Sequence, residues 1–590
     1  MKIDHFEHPH YRARRTGAVP RPPRPDIPDT VELEGIRSQA INTSRNRLIV
    51  TGALMALAFA VIAGRLIELA VVKDGAPKPI ARVSETPKPP KVRANIVDRN
   101  GTLLATSLPT AALYANPNHV LDPELAAARL VKVLPELDRR QVLKKLASKS
   151  TFVWLHRNLT PDRQFRVNAL GVPGLYFQSM ERRVYPHGPL AAHVLGITDI
   201  DGVGLSGVEK QFDATLTGGK GSLRLSLDIR VQAMFRGELA RVQEKFSAIG
   251  AVGVLLDVNS GEVVAMVSLP DFDPNNPVTA AGDAGFNRAT KGVYEMGSTF
   301  KLFTAAMALD SGVTNLNTRF DATKPIRVHG YTISDFHPLK RWLTVPEILI
   351  HSSNIGAAKM AIKVGTARQK KYLRLLGLMR AAAIELPEVG APLTPDRWRD
   401  INTMTISYGH GIAVSPLQLT AAVATLVNGG FRAEPTIVKQ SQSANRPPER
   451  VLKPGTSEKM RRLMRLVVTR GTGRKADLNG FLLGGKTGTA DKPGNRGYRG
   501  RRVISSFVGV FPFDKPRYAI LALFDEPKGL KETFGYATGG WVAAPVVRNV
   551  VGRLSPILGL RPRAESPIAS KNRQAKNQPT RQRNKNLAAN

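Results

Sequence analysis

The sequence predicts an α+β protein with two globular parts behind a single membrane-spanning helix, and three observations carry that expectation. An almost wholly apolar run extends over residues 48–72. Short apolar runs bounded by turn residues recur in pairs, at 93–105 and at 252–267, as antiparallel hairpins do. Amphipathic helical periods lie between and after them, and two late strand-like runs, Val503–Phe511 and 518–524, complete a five-stranded antiparallel sheet.

Taken in order, residues 1–47 are polar, with Pro20, Pro22, Pro23, Pro25 and Pro28 crowded together, and are expected to be disordered in isolation. His5, His8 and His10 read as solvated side chains rather than as a metal site, and the basic Pro-rich stretch could equally dock a partner. The run 48–72, read as one helix of about 25 residues rising about 1.5 Å each, crosses a hydrocarbon core of about 30 Å. A cleaved signal peptide is the rival reading, but the polar stretch ahead of the run is too long for a signal n-region, so an uncleaved anchor is expected. Lys and Arg flank both ends, so the charge count leaves orientation open; a large carboxyl-terminal domain translocates largely regardless of charge.

After a Pro/Lys-rich linker at 77–90, residues 73–222 read as a non-catalytic α+β pedestal. It has a hairpin at 93–105 and helices at 123–134 and 139–146. Turns and a buried charge pair are expected from 182–188 and 202–209. Residues 223–560 form the larger part, with helices near 231–245 and 545–551 covering the sheet. The tail 561–590 is Arg, Lys, Asn and Gln with little to bury, and disorder is its expected state.

Composition narrows the chemistry. The 590 residues are 42% hydrophobic and 22% charged, an ordinary globular balance, and the absence of cysteine removes thiol nucleophiles and zinc-thiolate sites. The formal net charge of +38 invites a nucleic-acid partner. Yet the basic residues concentrate in the tails and in the loop 491–502, with no aromatic single-strand platform or zinc finger. Anionic lipid or a cell-wall polymer fits that distribution better.

The candidate site is organised around Glu295-Met296-Gly297-Ser298-Thr299-Phe300-Lys301. Gly297 reads as the break before a helix, and a spacing of three puts Ser298 and Lys301 on one face. A serine hydroxyl needs a base within hydrogen-bond reach, and a lysine serves if its surroundings disfavour its charge. The helix amino terminus also favours negative charge on an attacked carbonyl. Alone the pair is common by chance. Ser352-Ser353-Asn354 and, on a strand, Lys486-Thr487-Gly488-Thr489 follow it in order, and Ser-x-x-Lys, Ser-x-Asn, Lys-Thr-Gly is the signature of the penicillin-recognising serine acyltransferases.

With these motifs behind a single span, the chain resembles the class B penicillin-binding proteins, and among them the division-specific D,D-transpeptidases. The likeness runs from the span to about residue 555, through 93–105, 183–188, 193–202, 286–290 and 407–411. The Thr198-Asp199-Ile200-Asp201-Gly202 stretch favours the septal over the elongation type. Met296 stands where the family pattern has proline, and His410 where it often has tyrosine.

The resemblance implies a β-lactamase-like transpeptidase domain on a dimerisation-type pedestal. It makes Ser298 the nucleophile on the bond between two terminal D-alanines and Lys301 the base. Ser352 becomes the proton relay and Asn354 the holder of the substrate amide. Lys486 and Thr487, with Gly488 and Thr489 beside them, meet the terminal carboxylate, and the backbone N–H groups of Ser298 and Thr489 form the oxyanion hole. It implies no metal or organic cofactor and no nucleic acid. The partners it implies are peptidoglycan stem peptides, β-lactam antibiotics, the membrane, and division-complex membrane proteins including a glycosyltransferase. The catalytic domain is placed in the periplasm, at the septum of a bacterial inner membrane.

The alternatives are an elongation-specific transpeptidase, a β-lactamase or penicillin sensor, and a non-catalytic division scaffold. No Glu-x-x-Leu-Asn segment supplies the deacylating glutamate of a class A β-lactamase, and 73–222 is too short for a glycosyltransferase domain.

Overall fold

The computed structural model describes residues 32–67, 93–219, 221–328, 330–440, 449–492 and 502–562. It divides into two units, Met1–Lys88 and Pro89–Asn590. The described part of the first is one helix, Glu32–Ile67. Within it the 21 residues Arg47–Ile67 have mean hydropathy 2.0 and bury none of their apolar window, so the helix is long and apolar enough to cross a membrane.

Residues 68–72 of the expected span, the linker and residues 1–31 lie outside the described residues. Within 1–47, expected to be disordered in isolation, residues 32–47 form the first part of the helix Glu32–Ile67. That stretch follows the last of the crowded prolines and has none of its own, so the helix of the apolar run propagates back through it at little cost.

In the second unit the hairpin expected at 93–105 is β1 (Ile96–Val97) with β2 (Leu103–Ala115), paired antiparallel. The buried Asp98 carboxylate accepts the Asn100 and Thr102 N–H groups at 2.7 and 2.8 Å and so shapes the turn. The long β2 also pairs with β3 (Val153–Leu159) and β4 (Leu175–Val184). The helices expected nearby are Pro123–Val133 and Arg139–Leu146, capped by the Asp122 and Asp138 carboxylates. Their Leu130 and Leu146 meet Leu113 and Leu159 of the sheet in one core.

β5 (Leu223–Arg224) joins β1 in parallel, so this sheet extends past the expected boundary at 222. The charge pair expected here is a cluster. Glu209, wholly buried, takes Arg93 Nε at 2.6 Å and Arg183 Nε at 2.7 Å, and Arg93 also reaches Asp213 at 2.8 Å.

The larger part centres on β6 (Gly250–Asp257), β7 (Val263–Leu269), and two short ladders: β8 (Arg319–Asp321) with β11 (Trp342–Thr344), and β9 (Ile326–Val328) with β10 (Tyr331–Ile333). Then come β12 (Gly484–Asp491), β13 (Val503–Phe511) and β14 (Tyr518–Asp525). The main sheet runs β12-β13-β14-β6-β7, antiparallel throughout, as the sequence predicts.

Its central strands read as continuous apolar runs because both faces are covered. On β14, Ala519, Leu521 and Leu523 enter one core, and Ile520, Ala522 and Phe524 the other. Helices Ile229–Lys245 and Ala543–Leu554 cover the second face, as expected, and Pro416–Val427 packs on the first.

Candidate active site

Gly297 adopts φ +53°, and a Cβ there would stand 2.5 Å from the Thr489 carbonyl oxygen. Only glycine lets the turn Gly297–Phe300 lie so close to β12. Ser298 sits in that turn, and Lys301 opens the helix Lys301–Asp310, every residue of which is buried. A helix held wholly in the core carries its first side chain inward, so Lys301 is 1% exposed.

Ser352 ends the helix Val345–His351 in the left-handed region, φ +58°, and Ser353 caps the next helix, Asn354–Val364. The Ser-Ser-Asn motif is therefore the break between two helices. Asp335, on the loop between β10 and β11, holds this break. It accepts Ser353 Oγ–H at 2.7 Å, Asn354 N–H at 2.6 Å and Ile355 N–H at 3.0 Å, a carboxylate at a helix amino terminus.

Three distant segments meet here. Lys301 Nζ lies 2.8 Å from Ser298 Oγ, 2.7 Å from Asn354 Oδ1, and 2.7 and 3.1 Å from the Ser352 carbonyl and Oγ. Asn354 Nδ2 donates to the Ser334 carbonyl at 2.9 Å, which fixes Oδ1 toward the lysine. Lys486 is wholly buried, and its Nζ is 2.9 Å from Ser352 Oγ. Thr487 Oγ1 pairs with Thr472 Oγ1 at 2.7 Å, and Thr489 Oγ1 accepts the Gly539 N–H at 3.1 Å. A Cβ at Gly488 would fall 2.6 Å from the Met296 carbonyl, so this residue lets the strand and the serine turn touch.

Burial pushes Lys301 well below the usual lysine range; nearby Lys486 adds to this and Asp335 opposes it. Burial also brings Lys486 down to about 7. A neutral Lys301 has two N–H donors and one lone pair. The Ser352 and Asn354 carbonyl oxygens can only accept, so they take the two hydrogens and the lone pair faces the Ser298 hydroxyl. That is a serine set for deprotonation.

Of the predicted residues, Ser298, Ser352, Asn354, Thr487 and Thr489 line a cleft of about 690 Å³, Lys301 and Lys486 are buried against them, and Gly488 packs on the serine turn. Sequence reasoning missed Asp335 and Thr472, since no spacing ties either to a motif. It flagged His410 without its partner: Nδ1 is 3.0 Å from Glu295, which also accepts the Gly411 N–H at 2.8 Å. That bond, first, raises the His410 pKa. Met296, in the place of the pattern's proline, is buried and removes no polar group from the cleft. The expected basic loop lies largely outside the described residues, at 493–501.

Residues 251–552 match the penicillin binding protein transpeptidase domain, and residues 88–234 the penicillin-binding protein dimerisation domain. The chain is 42% identical to a probable peptidoglycan D,D-transpeptidase FtsI of Caulobacter vibrioides, over 80% of this chain and 82% of that one. It is 32% identical to the peptidoglycan D,D-transpeptidase FtsI of Escherichia coli K12, over 80% and 84%. Among solved structures, penicillin binding protein 3 of Mycobacterium tuberculosis complexed with aztreonam aligns with a TM-score of 0.64 at 25% identity, covering 80% of this chain and 98% of that one. With a dimerisation domain ahead of a transpeptidase domain, and this identity to FtsI over most of both chains, the chain belongs to the FtsI-type class B penicillin-binding proteins.

Proposed function

We propose that this chain crosslinks peptidoglycan stem peptides by D,D-transpeptidation through a Ser298 acyl-enzyme, and that it does so in septal wall synthesis. The observation that carries the reading is the buried Lys301 amine, 2.8 Å from Ser298 Oγ and tied to Ser352 and Asn354.

Ser298 Oγ attacks the carbonyl between the two terminal D-alanines and passes its proton to Lys301. Backbone N–H groups of Ser298 and Thr489 receive the developing oxyanion. Lys486, with Thr487 and Thr489, holds the terminal carboxylate, and Asn354 the substrate amide. As the C–N bond breaks, the proton passes through Ser352 Oγ, which lies between the two lysines, to the leaving amine, and D-alanine departs. The amine of a second stem peptide then attacks the ester; Ser298 Oγ leaves and recovers its proton through Lys301. A β-lactam acylates the same serine.

The helix Arg47–Ile67 anchors the chain in the membrane. The catalytic domain is proposed to stand in the periplasm and to work with division-complex membrane proteins, a glycosyltransferase among them.

The test is covalent labelling by a fluorescent penicillin together with crosslinking of supplied lipid-linked precursor in the presence of a glycosyltransferase. Ser298→Ala abolishes both; labelling that survives removes Ser298 from the nucleophile's role. A fluorescent fusion gathers at midcell in dividing cells, and a lateral-wall pattern would replace the septal assignment with an elongation one.

A further inference from the structure

The cleft is charged unevenly. At one end stands Asp491, four residues along β12 from Thr487 and so about 13 Å away for an extended strand. Next to Thr487 the wall is cationic. Thr472, bonded to Thr487 through their hydroxyls, is followed after Gly473 by Arg474 and Lys475, and all three side chains line the cleft.

Both cations are exposed, and neither has a carboxylate partner among the described residues. Lys475 is nevertheless held in place: its Nζ stands 3.7 Å over the ring of Trp541, which also lines the cleft. Phe534 in turn meets Trp541 edge-on at 5.9 Å. Two cations without carboxylates, one fixed on an indole, are arranged to receive an anion.

Their position says which anion. The leaving D-alanine is bound through its carboxylate at Lys486 and Thr487, beside Thr472. The acceptor amine attacks the carbon that the leaving amine vacated, through the same tetrahedral geometry in reverse, and the cationic wall begins at Thr472, next to the carboxylate site that the leaving residue empties. We infer that Arg474, Lys475 and Trp541 form the acceptor subsite, and that it selects a second stem peptide by free carboxylates beyond the attacking amine. In the step it serves, the amine nitrogen bonds to the acyl carbon, the Ser298 Oγ–C bond breaks, and the amine's proton returns to Ser298 by way of Lys301.

The inference rests on the transpeptidase reading, and the experiment separates the two. The full chain in detergent is acylated by a thioester donor. The acyl-enzyme is then partitioned between water and a synthetic stem tetrapeptide, supplied with free carboxylates or as its carboxamide. The unaltered protein favours the free acid. Arg474→Gln combined with Lys475→Gln lowers aminolysis by the acid roughly tenfold, the worth of a charge-assisted contact, and brings it to the level of the carboxamide. Lys475→Glu reverses the preference.

Equal partition for both acceptors in every protein overturns the inference. So does a loss confined to thioester consumption, which would assign the cations to the donor. Failure of the unaltered protein to form any acyl-enzyme overturns the transpeptidase reading, and the subsite with it.

Discussion

Lys301 and Lys486 meet on one hydroxyl: their Nζ atoms lie 3.1 and 2.9 Å from Ser352 Oγ. Two ammonium groups that close, both buried, repel strongly. Burial depresses both, Lys301 far below its ordinary range and Lys486 to about 7. The proposed mechanism needs Lys301 neutral and Lys486 charged.

The second-order constant for acylation is therefore bell-shaped in pH. Its rising limb follows loss of the Lys301 proton. Its falling limb, near about 7 in the free enzyme, follows loss of the Lys486 proton. Saturating a carboxylate-bearing donor moves that falling limb upward, because the bound anion favours the ammonium. Stopped-flow acylation from about pH 5 to 10 reads this directly, and a flat profile contradicts it.

Stability carries the same signature. Unfolded Lys486 keeps its proton to about 10.4, whereas in the fold it is released at about 7. Between those values the unfolded state binds more protons, so the chain gains stability as pH rises through that window. Below it, the cost of burying the charge is present in full. Thermal unfolding of the unaltered chain against Lys486→Met should show the difference shifting in favour of the unaltered chain from about pH 7 to 10, and level below.

Asp335→Asn should lower acylation roughly ten- to hundredfold while leaving the chain folded. The carboxylate accepts from Ser353 and from the Asn354 and Ile355 N–H groups, and an amide would turn its own N–H₂ on one of those donors. Ser352 and Asn354 would then lose their placement beside Lys301. Penicillin acylation kinetics with a circular dichroism control check it.

Glu209→Gln should cost roughly 3–5 kcal/mol, since it leaves the buried Arg93 and Arg183 guanidinium groups without their shared counter-charge. The melting temperature falls by several degrees, and Ser298 labelling is lost at a lower temperature than in the unaltered chain. An unchanged melting curve would show that Asp213 alone compensates Arg93.

The sequence by itself determined what acts over short range. The apolar run becomes the helix Arg47–Ile67, the paired β-runs become hairpins, and Ser298 and Lys301 fall on one turn because a spacing of three closes a helical turn. The order of the three motifs was legible too, and the family likeness assigned them to one site. Tertiary structure decided the rest: the helical break that presents Ser352, the Asp335 carboxylate that holds it, Thr472 beside Thr487, and the His410–Glu295 pair. None of these follows a period: the break is a local left-handed turn, and the other three join residues that meet only in the folded chain. The basicity of Lys301 belongs with them, since burial sets it and no stretch of sequence buries itself.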